Sequence, residues 1–180
     1  MLRAVLLLVA VLGVIGPSAW AQGQVPPATV AVIDIERVMI ETKAAKSVQR
    51  QVQGFRQKMR ERFAGEEQAL RREERELKRQ ATVLDPQTFD AKRREFERRV
   101  IDAQRRAQDA SRQIDLAAKK ALGEIQAVLI EVVRLLTEEM GFNVVVDKSQ
   151  ILFAARTLDI TEQVIRDLDQ QIASVEVRVP

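Results

Sequence analysis

The groups of this sequence that could carry acid–base chemistry are carboxylates near the ends of predicted strands, at Asp34, Glu36 and Asp147. The chain has no His, Cys or Tyr, which excludes the commonest general base, thiolate nucleophiles, disulfides and Cys-ligated metal sites. Carboxylates in such positions more often cap a turn or are solvated. The sequence also lacks a Gly-rich phosphate-binding loop. We therefore predict that the protein is not an enzyme and has no metal or other cofactor.

A second group of side chains is suited to binding rather than to reaction. It combines apolar residues near one stripe of predicted helix with neighbouring basic residues: Phe55, Met59, Phe63, Phe89 and Phe96, and Arg71, Arg72 and Arg75. Met adapts its shape to irregular apolar surfaces, and Arg donates to anionic groups. The alternative is that the apolar residues only pack two helices together, above all Phe55 and Phe96. Both interpretations stay open at the level of sequence.

Basic residues are concentrated in the middle of the chain. Residues 50–112 carry 18 Lys and Arg against 12 Asp and Glu, an excess of +6, whereas residues 113–180 carry 7 against 11, an excess of −4. This distribution favours an anionic membrane surface as a further partner, although interleaved Arg and Glu are also typical of a solvated helix face. Because Glu is interleaved throughout and the single Trp lies at position 20, we predict no nucleic-acid partner.

Proline placement predicts the elements that position these side chains. Between Pro27 and Pro180 only Pro86 interrupts the chain, and Pro is strongly disfavoured inside a helix. Asp85 is suited to cap a helix whose first residue is Pro86, and Gly141 is suited to end it. The sequence therefore predicts an antiparallel helical hairpin over residues 37–140, with one helix to about Val83, a tip near Asp85-Pro86, and a second helix to about Met140.

The second predicted helix carries a coiled-coil seam. Its apolar residues step by four and three: Phe96, Val100, Ala103, Ala107, Ala110, Ile114, Ala117 and Ala121. The first helix starts a similar stripe, but beyond Met59 it continues with one apolar residue per seven: Phe63, Leu70, Leu77 and Leu84. We therefore expect the distal part of the hairpin to be held together weakly, with internal Gly54, Gly65 and Gly123 as bending points.

The ends of the chain have the pattern of strands. We predict strands around Thr29–Ile35, Phe142–Asp147 and Ile151–Ala155, the last two joined by a turn at 147–150, and a final helix capped by Asp159 or Thr161. Three strands cannot bury both faces of a sheet, so residues 22–36 and 141–180 should form a β-rich body that oligomerises. The candidate contact residues are Val30, Val32, Ile33, Val132, Val144 and Val146.

Residues 1–21 have the pattern of an export signal. Arg3 precedes an apolar run from Ala4 to Gly16, and Ala19-Trp20-Ala21 matches a small-x-small cleavage site, so cleavage is expected after Ala21. An uncleaved anchor is the alternative, but the run is shorter than the roughly 20 residues that span a bilayer. The mature chain is therefore expected to be soluble outside the cytoplasm.

The order of these elements resembles the Skp/OmpH family of periplasmic chaperones. The resemblance rests on the strand Val30-Ala31-Val32-Ile33-Asp34, on Val144-Val145-Val146-Asp147 after Gly141-Phe142, and on the closing Leu158-Asp159-Ile160-Thr161. It implies an α+β fold in which a long helical-hairpin arm stands on a small β-sheet body. It also implies a homotrimer whose three arms enclose unfolded outer-membrane proteins and prevent their aggregation without ATP. On this interpretation the stripe from Phe55 to Phe96 contacts the bound chains.

A structural coiled coil that spaces components of the cell envelope is the alternative function. It explains the arms, but it predicts an unbroken apolar seam to the tip, which this chain lacks.

Overall fold

The computed structural model describes residues 26–180, and the predicted signal over residues 1–21 lies outside them. The described chain is a long helical hairpin on a small base, which confirms the α+β class. Its elements are strand β1 (Val30–Ile33), helices α1 (Ile35–Glu41), α2 (Lys43–Gln80) and α3 (Pro86–Met140), strand β2 (Val144–Asp147), 3₁₀ turns at Lys148–Gln150 and Arg156–Leu158, and helix α4 (Thr161–Gln171).

Local capping sets the ends of the hairpin where the sequence predicts them. Asp85 Oδ1 accepts the backbone N–H groups of Gln87 and Thr88 at 3.1 and 3.0 Å, and Pro86 is the first residue of α3. Gly141 ends α3 with φ 75°, in the left-handed region that a residue with a Cβ rarely adopts. At about 1.5 Å per residue, α3 is roughly 80 Å long.

The first arm is not the single helix predicted over residues 37–83. Thr42, which is fully buried, has ψ 152° and separates α1 from α2. Its hydroxyl accepts the N–H of Ala45, while the N–H of Lys43 donates to the Asp169 carboxylate of α4 at 2.7 Å. The break is stabilised because the Asp169 carboxylate of α4 accepts the Lys43 N–H, a donor without a partner inside α2.

The sheet has two strands in the described residues, and they run parallel. β1 pairs with β2 in the register Val30 with Val144 through Ile33 with Asp147. A parallel pair needs a long crossover connection, and here the crossover is the entire hairpin. The hairpin therefore leaves the base after β1 and returns to it at β2, and these two strands are hydrogen-bonded to each other.

The predicted third strand over residues 151–155 is wrong, as is the hairpin turn before it. Asp147 accepts the N–H of Ser149 at 3.2 Å and starts a 3₁₀ turn, which leads the chain away from an antiparallel return. The chain comes back to β1 later, where the N–H of Ile160 donates to the carbonyl of Val32 at 2.9 Å. Strand propensity was present, but the turn leads the segment away from the free edge of β2.

The apolar core lies at the base of the hairpin, where α4 packs against α1 and α3. It contains residues from every helix and from β1: Ala31 and Ile33, Val38, Ala44, Ala45 and Val48, Ile125, Leu129, Val132 and Leu136, and Val164 and Leu168. The base is therefore the part of the chain that supplies most of the hydrophobic stabilisation.

A polar network ties β1, α1 and α4 together beside this core. The N–H of Asp34 donates to the buried hydroxyl of Thr161 at 2.9 Å, and that hydroxyl donates to Asp159 Oδ1 at 2.5 Å. Asp34 Oδ1 accepts the N–H of Arg37 at 2.9 Å and caps α1. Asp159 Oδ1 also accepts the N–H of Thr161, the first residue of α4. The helix starts near the predicted residues, but the predicted cap at Asp159 or Thr161 is wrong, because Ile160 occupies the cap position and no side chain caps the helix.

Two glycine substitutions should change stability in opposite directions. Gly65 lies inside α2, and a Cβ there would meet nothing within 4 Å, so Gly65→Ala should raise the free energy of unfolding by about 1 kcal/mol. Gly141→Ala, with equal open space but φ 75°, should lower it by roughly 1 to 2 kcal/mol. Urea unfolding followed by helical circular dichroism measures both. Changes of the same sign would show that backbone conformation does not set these costs.

Stability should also fall at low pH because of Asp159. Burial tends to raise the pKa of its carboxyl, but hydrogen bonds from Thr161 and Lys148 outweigh that effect and bring the pKa to about 2. A lowered pKa stabilises the folded chain above the unfolded value of 3.8, and this stabilisation is lost as the pH falls toward 2. We expect Asp159→Asn to remove about 2 kcal/mol of that pH dependence, measured by urea unfolding at a series of pH values. An unchanged slope would contradict this, and exposed Asp109→Asn serves as the control.

Candidate functional site

Apolar burial between the two arms decreases toward the tip. In α2 the buried residues are Ala44, Ala45 and Val48, all within its first two turns. In α3 burial begins at Ala103 and continues to Leu136. The distal parts of both helices therefore touch through half-buried side chains, as the thinning stripe of the sequence predicts.

An open cleft of about 670 Å³ lies between α2 and α3 where the seam thins. We call it the arm cleft. Its floor is apolar and its rim carries charges of both signs. The floor residues are Met59, Phe63, Ala64 and Leu70 of α2 and Phe96, Val100, Ala103 and Ala107 of α3, and the rim residues are Arg60, Glu66, Glu67, Arg71, Glu74 and Gln104. On the α3 side, the small residues Ala103 and Ala107 leave space that larger residues would fill.

The structure brings some of the predicted binding residues together at this cleft and places others elsewhere. Met59, Phe63, Arg71 and Phe96 line it. Phe55 packs against the edge of the core nearer the base. Phe89, Arg72 and Arg75 also lie outside the cleft lining, and the two arginines are exposed.

Sequence reasoning missed Leu70, Val100 and Ala107 as cleft residues, although all three were assigned to the seams. Their heptad spacing was read as packing between the arms. The same positions form the cleft floor when the facing helix offers too little volume to cover them. The signal that would have found them is the mismatch between small residues on α3 and sparse large residues on α2.

The charges of the cleft rim other than Arg60 form ion pairs that remain in contact with water. Arg71 donates to Glu67 one turn earlier at 2.6 Å, and this hydrogen bond raises the pKa of Arg71. Arg106 of α3 pairs with Glu66 across the helices. The Arg71 and Glu67 side chains are 67% and 63% exposed, so the pair contributes little stability and is weakened further by salt. The rim can therefore exchange its partners for those of a bound chain at small cost.

The predicted oligomerisation residues divide into two sets. Val32, Ile33 and Val132 are buried in the base of this same chain, so their side chains are not exposed to contact another copy. Val30 and Val144 are exposed, and Val146 is half-buried. The structure adds two strongly exposed apolar residues that were not predicted: Leu152 and Phe153, in the segment expected to be a strand.

The three carboxylates considered for catalysis cap a helix, stabilise a turn or lie exposed to solvent. Asp34 caps α1, Asp147 accepts from Ser149, and Glu36 lies exposed in the first turn of α1. Within residues 26–180 no cluster of carboxylates is arranged to hold a metal ion. No helix among these residues is long and apolar enough to cross a membrane.

Comparisons with known proteins found one matching family model and a solved structure of similar fold. Residues 29–168 match the sequence profile of a family described as outer membrane protein (OmpH-like). The fold is similar to a crystal structure from Caulobacter crescentus CB15, described as a candidate outer membrane chaperone (OmpH-like). That match has 21% identity and a TM-score of 0.76, and covers 87% of this chain and 94% of the other. None of the curated proteins matches.

Backbone protection should follow the gradient of burial along the arms. Amides between residues 63 and 96 should exchange with solvent at least about 100-fold faster than those between residues 114 and 136, because local opening there exposes little apolar surface. Native-state hydrogen exchange with residue resolution measures this. Equal protection along α3 would mean that the arm opens only with the whole molecule, and that the cleft is a rigid feature.

Proposed function

Since this chain belongs to the OmpH-like family of outer membrane proteins, we propose that it is a periplasmic chaperone that holds unfolded outer-membrane proteins and prevents their aggregation. It does so without ATP, through contacts along the arms. The name given to the Caulobacter relative supports a chaperone role, and the arm cleft supports the mode of binding.

The observation that carries the proposal is an apolar floor left open to solvent between two long helices. Met59, Phe63 and Phe96 are half-buried, so each keeps apolar surface that an unfolded chain can cover. Individual contacts of this size are weak, but several along one arm act together. A holdase needs this combination, because each contact must be able to break before the client can fold.

The charged rim supports capture rather than tight binding. Basic and acidic residues alternate around the cleft, so segments of either charge find a partner. The basic excess over residues 50–112 also supports a weak attraction to anionic membrane surfaces. Co-sedimentation with anionic and neutral vesicles tests that part, and equal binding to both would reject it.

Removing the apolar floor should weaken protection of a client. The double variant Met59→Ser with Phe63→Ser should need about tenfold more protein to half-suppress aggregation of a urea-unfolded outer-membrane barrel, since each apolar contact contributes about 1 kcal/mol or less. Light scattering after dilution of the urea measures this. The matched control is Leu116→Ser, which removes an apolar side chain that is 60% exposed and outside the cleft.

The basic residues should act mainly on the rate of capture. Reversing Arg71, Arg72 and Arg75 to Glu should slow association at about 0.05 M salt and matter less at about 0.5 M, where the Debye length falls from about 14 to about 4 Å. If neither the apolar nor the charge variants differ from the parent at either salt concentration, arm binding fails and a structural tether becomes the better account.

We also propose that three copies assemble through their bases. Val30, Val144, Leu152 and Phe153 are exposed there, and the segment at 151–155 has strand propensity without a partner in its own chain. A neighbouring copy would supply that partner and cover the apolar side chains.

Assembly should depend on these exposed residues and not on the arm tip. Sedimentation equilibrium at micromolar concentration should give the mass of a trimer for the parent and of a monomer for Leu152→Asp with Phe153→Asp. The control is Val83→Asp at the tip, where Val83 is 82% exposed, and it should remain a trimer. A parent of monomer mass at every concentration would rule out the assembly.

A further inference from the structure

The last residues of the chain lie on the hairpin base as an extended segment with alternating exposure. Val175 and Val177 are buried, whereas Glu176 and Arg178 between them are exposed and pair with each other at 2.9 Å. Val179 is half-buried against the same core. The segment follows α4 and lies beyond residues 29–168, so the family match does not describe it. We call residues 172–180 the tail.

One glutamine side chain of α2 holds the backbone of the tail at two points. Gln51 Nε2 donates to the carbonyl of Val175 at 2.7 Å, and Gln51 Oε1 accepts the N–H of Val177 at 2.9 Å. These are the two hydrogen bonds that one residue of a parallel strand makes with its neighbour. The Gln51 side-chain amide therefore makes the hydrogen bonds that a neighbouring strand would make. Because both bonds are to backbone atoms, they do not depend on the side chains of the bound segment.

The remaining contacts of the tail select a pattern rather than a sequence. Valines at every second position enter the core, and the residues between them face water. Ser47 also accepts from Gln51 Nε2 at 3.2 Å, which holds the amide in its orientation. The hydrogen bond with Glu176 and the charge of Glu124 on α3 both raise the pKa of Arg178. Val175 and Val177 belong to the core cluster that also contains Val48 of α2 and Ile125 of α3.

We propose that the place where the tail lies is a binding site for extended segments that are apolar at every second position, and that a bound client displaces the tail from it. Strands of membrane β-barrels have this alternation, because one face meets lipid and the other the barrel interior. The tail would then be a resident substitute for a client strand. This inference rests on the proposed function for the identity of the client, but the site itself rests on Gln51 and the valines.

A peptide with the sequence of the tail tests whether the site is exchangeable. The probe is a labelled, acetylated copy of residues 172–180, and its control is the same composition with the valines placed together. Val177→Asp in the full chain should release the resident tail, so the probe should bind this variant about tenfold or more tighter than it binds the parent, by fluorescence anisotropy. Adding Gln51→Leu to Val177→Asp should abolish that gain, and the control peptide should bind none of the three proteins.

A second measurement uses the parent chain and guards against a variant that does not fold. Hydrogen exchange of the Val177 amide should accelerate when the unlabelled tail peptide is added in excess, while the Ile125 amide in the core should not change. Equal affinity of the probe for parent and Val177→Asp, or an unchanged Val177 amide at saturating peptide, would overturn the inference and leave the tail as a fixed part of the base.

The same exchange measurement with an unfolded barrel separates this inference from the proposed function. If the chain prevents aggregation while the Val177 amide stays protected, clients do not displace the tail and the inference fails. If the tail peptide exchanges but the chain does not prevent aggregation, the holdase function fails and the site for extended segments stands.

Discussion

Apolar contact between α2 and α3 is concentrated at the base of the hairpin, and the rest of the structure depends on that distribution. Between Ala103 and Leu136 the seam of α3 is buried, and α4 packs against both α3 and α1 at the base. Toward the tip the two helices have half-buried side chains and exposed ion pairs, which stabilise little. The base can therefore stay folded while the arms open, and apolar surface remains available along them.

This distribution links the fold to the proposed chaperone function. A seam packed to the tip would bury Met59, Phe63 and Phe96 and leave an inert rod. A hairpin without a seam would not hold its arms side by side, because isolated polar helices are marginal in water. The small residues Ala103 and Ala107 belong to the seam that holds the helices together, but they are too small to fill the arm cleft. At the base, the tail is held by two buried valines and by the two hydrogen bonds of Gln51.

Local chemistry made the hairpin predictable. The cap at Asp85, the fixed φ of Pro86 and the left-handed Gly141 each act within a few residues: the first two begin α3 and the third ends it, where expected. The predictions that failed depended on distant partners. The helix break at Thr42 needs an acceptor from α4, and the strand at 151–155 had propensity but no neighbour.

The site was predicted in part for the same reason. Heptad spacing identifies which residues face the other arm, but whether they are packed or left open depends on the volume that the other helix supplies. The tail shows the limit most clearly, since its alternation is legible in the sequence while its anchor, Gln51, lies far away along the chain. Hydrogen bonds between residues so far apart in sequence depend on the folded base, and no local sequence pattern predicts them.

The central claim is that unfolded clients contact the floor of the arm cleft. Site-specific photo-cross-linking tests it most directly, with the reactive side chain placed at Phe63 in one protein and at Ile101 in another. Ile101 is an exposed apolar residue of α3 that does not line the cleft. With a urea-unfolded barrel as client, the account predicts a strong cross-linked product from position 63 and little from position 101. Equal yields at the two positions, or a higher yield from position 101, would contradict it.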